Sequence, residues 1–337
     1  MKNNKSLGVR EIAKLAGVSP ATVSRVLNTP EITSPQTQAK VLKVIEQYGY
    51  TPASAPATVT YQDSRPIAIF LYDSACPFYR ELVYEFNTLC FDQNYPPPLV
   101  FYDTHGNFSR ERYYYDFCKS VGVAGIVYTT GAYRERISDL GGELPIVLLD
   151  RHSFRDKSCY NIRSNHEKGM GLLVDHLYSL HHRKIGFVDG LEDVWITNQR
   201  HYGFISAVNH AGLDIPSNYI YTGNFTFESG MQAFDYFSAL DNPPTAVIFS
   251  NDPMAQGFIL RANAAGVDIP QQFSVCGYDA SSLDHFYPTI TSVRQDTKSI
   301  AAAALSLIMS NSTPAPIDLV FDVSLREGAT CRRLEQP

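Results

Sequence analysis

Between residues 10 and 28 the apolar and polar positions follow a helical period, break once and resume. Ile12, Leu15 and Ala16 form a stripe at i, i+3, i+4, which predicts a first short helix. Gly17 then supplies the residue that tolerates a left-handed turn. Ser19 is placed to cap a second helix whose first residue, Pro20, needs no N–H. That helix turns Val23, Val26 and Leu27 inward and leaves Ala21, Thr22, Ser24, Arg25 and Asn28 on other faces. Ser34-Pro35 opens a third helix through Val41, Val44 and Ile45, ending at Gly49. Residues 53–66 carry no period and are small, hydroxylated and broken by Pro56 and Pro66, the composition of a linker.

Beyond residue 66 the period changes. Short β-rich runs at Ile67–Tyr72, Pro98–Tyr102, Gly125–Tyr128 and Ile146–Leu149 alternate with helical stretches such as Tyr79–Asn94 and Ser109–Val121. The alternation resumes with Lys184–Val188, Tyr219–Tyr221, Ala246–Phe249 and Phe273–Cys276. Two successive βα series predict an α/β fold with two doubly wound parallel lobes.

Charge sharpens this division. Residues 1–60 hold seven Lys/Arg against three Asp/Glu, a net of +4, which leaves −10 for the rest of a chain whose total is −6. A basic head on an acidic body suits a domain that meets phosphate. The exposed set on the second helix fits that role. Small side chains and hydroxyls enter a major groove without clashing, and an arginine can fork onto a guanine edge. Double-stranded DNA is therefore the expected partner, through Ser19, Pro20, Ala21, Thr22, Ser24, Arg25 and Asn28.

The string Ala-Gly-Val-Ser-x-x-Thr-Val-Ser-Arg-Val-Leu-Asn, followed by Tyr50-x-Pro52, closely resembles the opening of the lactose-repressor/galactose-repressor family of bacterial transcription factors. The resemblance continues through Pro77-Phe78-Tyr79, Leu148-Leu149-Asp150-Arg151, Arg200-x-x-Gly203-Phe204, Ser250-Asn251-Asp252-x-Met254-Ala255, Val275-x-Gly277-Tyr278-Asp279 and Leu325-Arg326-Glu327-Gly328. It implies a helix-turn-helix headpiece over 1–52, a hinge over 53–66 and an effector-binding core over 67–337 that shares its fold with periplasmic sugar-binding proteins. In that fold three strands cross between lobes. One lobe then spans about 67–163 with 296–322, and the other about 164–295 with 323–337. It also adds Thr33, Ser34, Tyr50 and Val59 to the DNA-contacting set. It further implies a homodimer or higher oligomer on a palindromic operator.

Ligands of open α/β sheets bind at the carboxyl ends of the strands. Asp73, Thr129, Asp150, Asn251, Asp252 and Asp279 follow predicted strands there, Arg200 offers a forked donor, and Phe225, Phe78 or Tyr79 could stack on a ring. By resemblance Asp73, Thr129, Asp150, Ser164, Arg200, Phe225, Asn251 and Asp279 contact effector. Other readings compete with this one. Asp252 suits an N-cap before Pro253, and Asp150 equally suits a pair with Arg151 or another basic residue. His181-His182 reads as a solvated helix end. Several carboxylates beside a single arginine favour a neutral small sugar as effector, with a nucleobase or nucleoside as the alternative.

Six cysteines, at 76, 90, 118, 159, 276 and 331, form no C-x-x-C pair and read as reduced, mostly buried thiols. No metal or cofactor is expected. The start of the chain lacks the apolar stretch of a signal peptide, and no run reaches the ~18 apolar residues of a membrane span, so a cytoplasmic protein is expected. There is no Gly-rich phosphate loop, G-x-S-x-G or H-E-x-x-H, which argues against an enzyme. A solute-binding transport protein would share the core but not the headpiece. One departure from the family stands out. Ala53, Pro56-Ala57 and Val59 occupy the hinge positions where relatives carry an Asn, an Ala-Arg pair and a Leu. Pro56 would have to sit in the first turn of any hinge helix, and Val59 is a shorter minor-groove wedge than leucine.

Overall fold

The computed structural model describes residues 9–28, 32–48, 65–129, 143–150, 159–192, 194–281, 286–310 and 317–335. Two compact units are present, Met1–Thr60 and Tyr61–Pro337. The first holds α1 (Val9–Ala16), α2 (Pro20–Asn28) and α3 (Pro35–Tyr48). Gly17 takes φ +67° between α1 and α2, and the Val18 N–H closes the turn onto the Ala13 carbonyl at 3.0 Å. Ser19 Oγ accepts from the Thr22 N–H at 3.1 Å, and Ser34 Oγ accepts from the Thr37 N–H at 3.3 Å, so α2 and α3 are capped as their sequences require. Ile12, Ala13, Val23, Val26 and Val41 form the core of this unit, with Ala16, Val18, Leu27, Val44 and Ile45 packed against it. Leu15 does not join the stripe: it is 46% exposed, and Ala13 takes the inward position. Tyr50, Pro56 and Val59 lie outside the described residues, and with them the hinge.

The second unit contains two sheets of six strands each. The first sheet runs in the order β11 (Asp318–Phe321), β5 (Cys159–Ser164), β4 (Ile146–Leu149), β3 (Ile126–Tyr128), β1 (Ala68–Phe70), β2 (Leu99–Phe101), with every neighbouring pair parallel. The other runs β12 (Val323–Arg326), β10 (Thr291–Gln295), β9 (Ser274–Asp279), β8 (Ala246–Phe249), β6 (Ile185–Asp189), β7 (Ile220–Thr222). It too is parallel, except where β12 pairs antiparallel with β10. The chain passes from one sheet to the other after Ser164, after Gln295 and between Phe321 and Val323.

Strand side chains alternate between faces, so a strand covered on both sides must be apolar at successive positions. In the first sheet Ile69, Val127, Val147 and Ile162 meet α4 (Pro77–Asp92) and α10 (Thr297–Met309), through Leu82, Phe86, Ile300, Ala304 and Ile308. Their neighbours Ala68, Phe70, Ile126, Tyr128 and Leu148 point the other way, onto Tyr115 and Cys118 of α5 (Phe108–Val121). The second sheet repeats the device. Val188, Val247, Phe249 and Val275 face α8 (Phe227–Ser238) and α9 (Asp252–Ala264). Phe187, Ile248, Cys276 and Tyr278 face α6 (His166–Ser179) and α7 (Trp195–His210). Each such fully buried Ile, Val or Phe contributes roughly 1.5–3 kcal/mol. Among the described residues no helix is long and apolar enough to cross a membrane.

Candidate functional site

A cavity of about 500 Å³ opens where the carboxyl ends of the two sheets face each other. Asp73, Phe78, Tyr79, Asp150, Arg200, Phe225, Asn251 and Asp279 all line it, as do Tyr72, Arg80, Phe227, Glu228, Gln256 and Gln295. Thr129 and Ser164 do not. The Thr129 hydroxyl is tied to the end of β1, donating to the Phe70 carbonyl at 3.0 Å and accepting from the Tyr72 N–H at 3.2 Å. Ser164 contributes its backbone N–H, which donates to Asp150 Oδ1 at 3.1 Å.

The floor is a buried charge network built on Arg200 of α7. Its Nη2 donates to Asp279 Oδ1 at 3.1 Å, its Nη1 to the Ser250 carbonyl, and its Nε to His166 Nδ1 at 3.4 Å. The guanidinium lies 3.9 Å from the centroid of the Tyr278 ring. Since arginine only donates, His166 Nδ1 must accept, and the ring proton sits on Nε2, 3.1 Å from Asp150 Oδ1. Burial keeps His166 uncharged by pushing its pKa down. The same burial opposes charge on Asp150, but hydrogen bonds from His166 and Ser164 and the nearby Arg200 hold its pKa below the usual carboxylate value. The partner of Asp150 is therefore His166. Arg151 lies outside the described residues. Burial lifts the Asp279 carboxyl to about 6 against the pull of Arg200 and the Gln295 hydrogen bond.

Strand ends reach this network through left-handed backbone. Asp150, Phe225 and Asp279 have φ of +50°, +68° and +102°, uncommon for residues with side chains and costly for a bulky one. Asn251 anchors the Phe225 turn by donating from Nδ2 to the Phe225 carbonyl at 2.8 Å. The ring then lies so close to Gly190 that a Cβ there would meet Phe225 Cζ at 2.1 Å, so a side chain at 190 would displace the ring.

Several sequence expectations change. Asn251, not Asp252, caps α9, its Oδ1 accepting from the Met254 N–H at 3.1 Å. Asp252 is already helical and accepts from Ser292 Oγ at 2.7 Å, with burial holding its pKa well above the ordinary value. His182 is buried rather than solvated, bonded to Thr245 Oγ1 at 2.9 Å and the Arg332 carbonyl at 3.0 Å. The cavity holds a second arginine, the exposed Arg80. His166 and Gln295 went unnoticed because they stand on β5–α6 and β10, elements that the apolar pattern does not mark. Gln295 donates from Nε2 to Asp279 Oδ1 at 2.8 Å and leaves a buried Oε1 with no hydrogen-bond partner.

In the headpiece, Ser19, Pro20, Ala21, Ser24 and Arg25 are exposed along one end of α2, with Thr22 half-buried and bonded to Ser19 Oγ at 2.8 Å. Asn28 is the last residue of α2. Ser34 is exposed and Thr33 half-buried, its carbonyl accepting from Gln38 Nε2 at 3.2 Å. Residues 9–53 match the profile described as bacterial regulatory proteins, lacI family, and residues 174–331 match a periplasmic binding protein-like domain. The chain belongs to the lacI family. It is a DNA-binding repressor with the two-lobed α/β core expected from the sequence. The HTH-type transcriptional repressor PurR of Photobacterium profundum is 29% identical over 308 residues, 89% of this chain and 90% of that protein. Among solved structures, a transcriptional regulator CelR–cellobiose complex aligns with TM-score 0.67 at 23% identity, over 96% of this chain and 99% of the other. The lac repressor dimer bound to operator and the anti-inducer ONPF aligns with TM-score 0.67 at 22% identity, over 97% and 100%.

Proposed function

We propose that this lacI-family repressor binds a neutral small sugar in the cleft, and that occupancy changes the affinity of a homodimer for a palindromic operator. One observation carries the choice of ligand. Arg200 is committed to Asp279, Ser250 and His166, and Asp150 to His166, so the floor offers no unclaimed cation to an anionic ligand. Among the described lining residues only the exposed Arg80 remains, against Asp73 and Glu228 in the same cavity. Burying a phosphate or carboxylate there would set like charges together. Hydroxyl groups, by contrast, find acceptors in Asp73 and Gln295 Oε1 and a flat surface in Phe225. The aligned CelR structure holds cellobiose, and the aligned lac repressor sits on operator as a dimer. A nucleobase or nucleoside is the second reading, since Tyr72, Phe78, Tyr79, Phe225 and Phe227 give the cavity five rings able to stack on a heterocycle.

The same reading divides the chain into a headpiece over 1–52, a linker over 53–66 and a core over 67–337. It assigns base reading to α2. One headpiece spans too few bases for useful specificity, whereas two related by a twofold axis read an inverted repeat. Calorimetric titration with mono- and disaccharides, purines, nucleosides and one sugar phosphate tests the ligand class. Binding confined to neutral sugars, with a shift in operator affinity on saturation, is the expected result. Binding confined to nucleobases establishes the second reading, and preference for the phosphate overturns both. Asp279→Asn is the informative variant, because Asp279→Ala would strand Arg200 without its buried partner and test folding instead.

A further inference from the structure

Two of the six thiols meet. Cys276, the third residue of β9, is fully buried, while Cys331 in the C-terminal segment is half-buried, and their sulfurs stand 3.5 Å apart. Neither lines the cleft. The contact is fixed by the backbone on both sides of Cys331. The Val275 N–H donates to the Thr330 carbonyl at 2.8 Å, Thr330 Oγ1 donates to the Val275 carbonyl at 2.6 Å, and the Arg332 N–H donates to Ser274 Oγ at 3.0 Å. His182 then holds the Arg332 carbonyl, and the Leu334 N–H donates to the Leu180 carbonyl at 2.9 Å. With the chain held on both sides of the contact, closure to a bond length of ~2.05 Å needs a sulfur movement of about 1.5 Å, within reach of small χ changes.

The two thiols differ in chemistry. Contact with Cys276 and with His176 of α6 draws the pKa of the Cys331 thiol below its ordinary value despite its burial. The same contact and full burial raise that of Cys276. A partly accessible thiol of lowered pKa next to an imidazole, backed by a buried thiol, is the arrangement of an attacking and a resolving cysteine.

We propose that Cys331 and Cys276 form a reversible disulfide when the protein meets a hydroperoxide, stapling the C-terminal segment to β9. The Cys331 thiolate attacks one peroxide oxygen, the O–O bond breaks, and hydroxide leaves a sulfenic acid on Cys331. Cys276 sulfur then attacks Cys331 sulfur, the S–O bond breaks, and the departing hydroxide takes up the Cys276 proton as water. Two thiols and one hydrogen peroxide give one disulfide and two waters, with two electrons passing from sulfur to oxygen. The bond closes a loop between positions 55 apart, which restricts the unfolded chain and raises stability.

The test treats the full-length protein with hydrogen peroxide, blocks remaining thiols with iodoacetamide, and maps peptides without reductant. The expected product joins the Cys276 and Cys331 peptides, two hydrogens lighter than their sum, and separates with dithiothreitol. The thermal midpoint of the oxidised protein rises by several degrees and falls back on reduction. Cys331→Ser abolishes both the crosslink and the shift. Cys276→Ser leaves a sulfenic acid on Cys331 that dimedone traps. Should that buried variant fail to fold, the wild-type map still decides. Alkylation of both cysteines, irreversible sulfinic or sulfonic acid on Cys331 with Cys276 still a thiol, or crosslinks through Cys76, Cys90, Cys118 or Cys159 instead would overturn the proposal.

Discussion

With no exposed surface, the His182 imidazole gives both ring nitrogens to protein partners, Thr245 Oγ1 and the Arg332 carbonyl. Burial pushes its pKa down to about 4. Below its ordinary value near 6.5 the unfolded chain takes up a proton that the folded one refuses. The stability His182 contributes is therefore complete above pH 6.5 and is lost as pH falls toward 4, by about 3 kcal/mol over the full window. His166 acts in the same direction. Asp279, raised to about 6, acts in the opposite one, because the folded chain then binds its proton more readily than the unfolded. Substitution separates the terms. The difference in unfolding free energy between wild type and His182→Gln should narrow steadily from pH 7 to pH 4.5 in urea titrations. A difference independent of pH would show that His182 is not the titrating group. Little in the sequence points to this burial, since a His-His pair at a helix end looks solvated until residue 332 returns across it.

At the level of elements, legibility followed locality. The helix-turn-helix was readable because each of its determinants lies within a few residues of its effect: Gly17 at positive φ, Ser19 and Ser34 as caps, Pro20 and Pro35 at helix starts. The strands Ile146–Leu149 and Ala246–Phe249 were readable to the residue, being unbroken apolar runs between turn signals. Strands β5 and β10 were not, because Cys-Tyr-Asn-Ile-Arg-Ser and Thr-Ser-Val-Arg-Gln become strands only by pairing with distant neighbours. The cap of α9 was misplaced by one residue for a related reason, as Ser292 of β10 claims the Asp252 carboxylate and leaves the cap to Asn251. The exposed end of α2 carries a prediction of its own. Arg25→Ala should lose roughly 1–3 kcal/mol of affinity for the operator while leaving random DNA nearly unaffected, as filter binding at fixed salt would read. Equal losses on both would make Arg25 a phosphate contact and remove it from base reading.

For the whole molecule, the resemblance supplied what the residues alone could not: three passages of the chain between sheets, which set two lobes around one cleft. The crossing points are polar and short, so the apolar pattern ran past them. The cavity they frame lies in one compact unit and α2 in the other. A change confined to the cavity wall should then alter the response to ligand and spare DNA binding by the empty protein. Phe225 is the residue to test. Its ring lies against Gly190 on the second-sheet wall, and its backbone is held by Asn251, so Phe225→Ala removes the stacking surface while leaving a Cβ at the same positive φ. Loss of an aromatic stack worth about 0.5–1.5 kcal/mol beyond its buried area should weaken effector binding roughly tenfold. Operator affinity measured without effector should stay within about twofold, as expected for sites in separate units. Titrating operator DNA at increasing effector concentration reads both quantities at once: the curve for Phe225→Ala should shift to higher effector concentration with its ligand-free end unmoved. A shifted ligand-free end would mean that the two units are coupled through this wall even in the empty protein, and unchanged effector binding would take Phe225 out of the site.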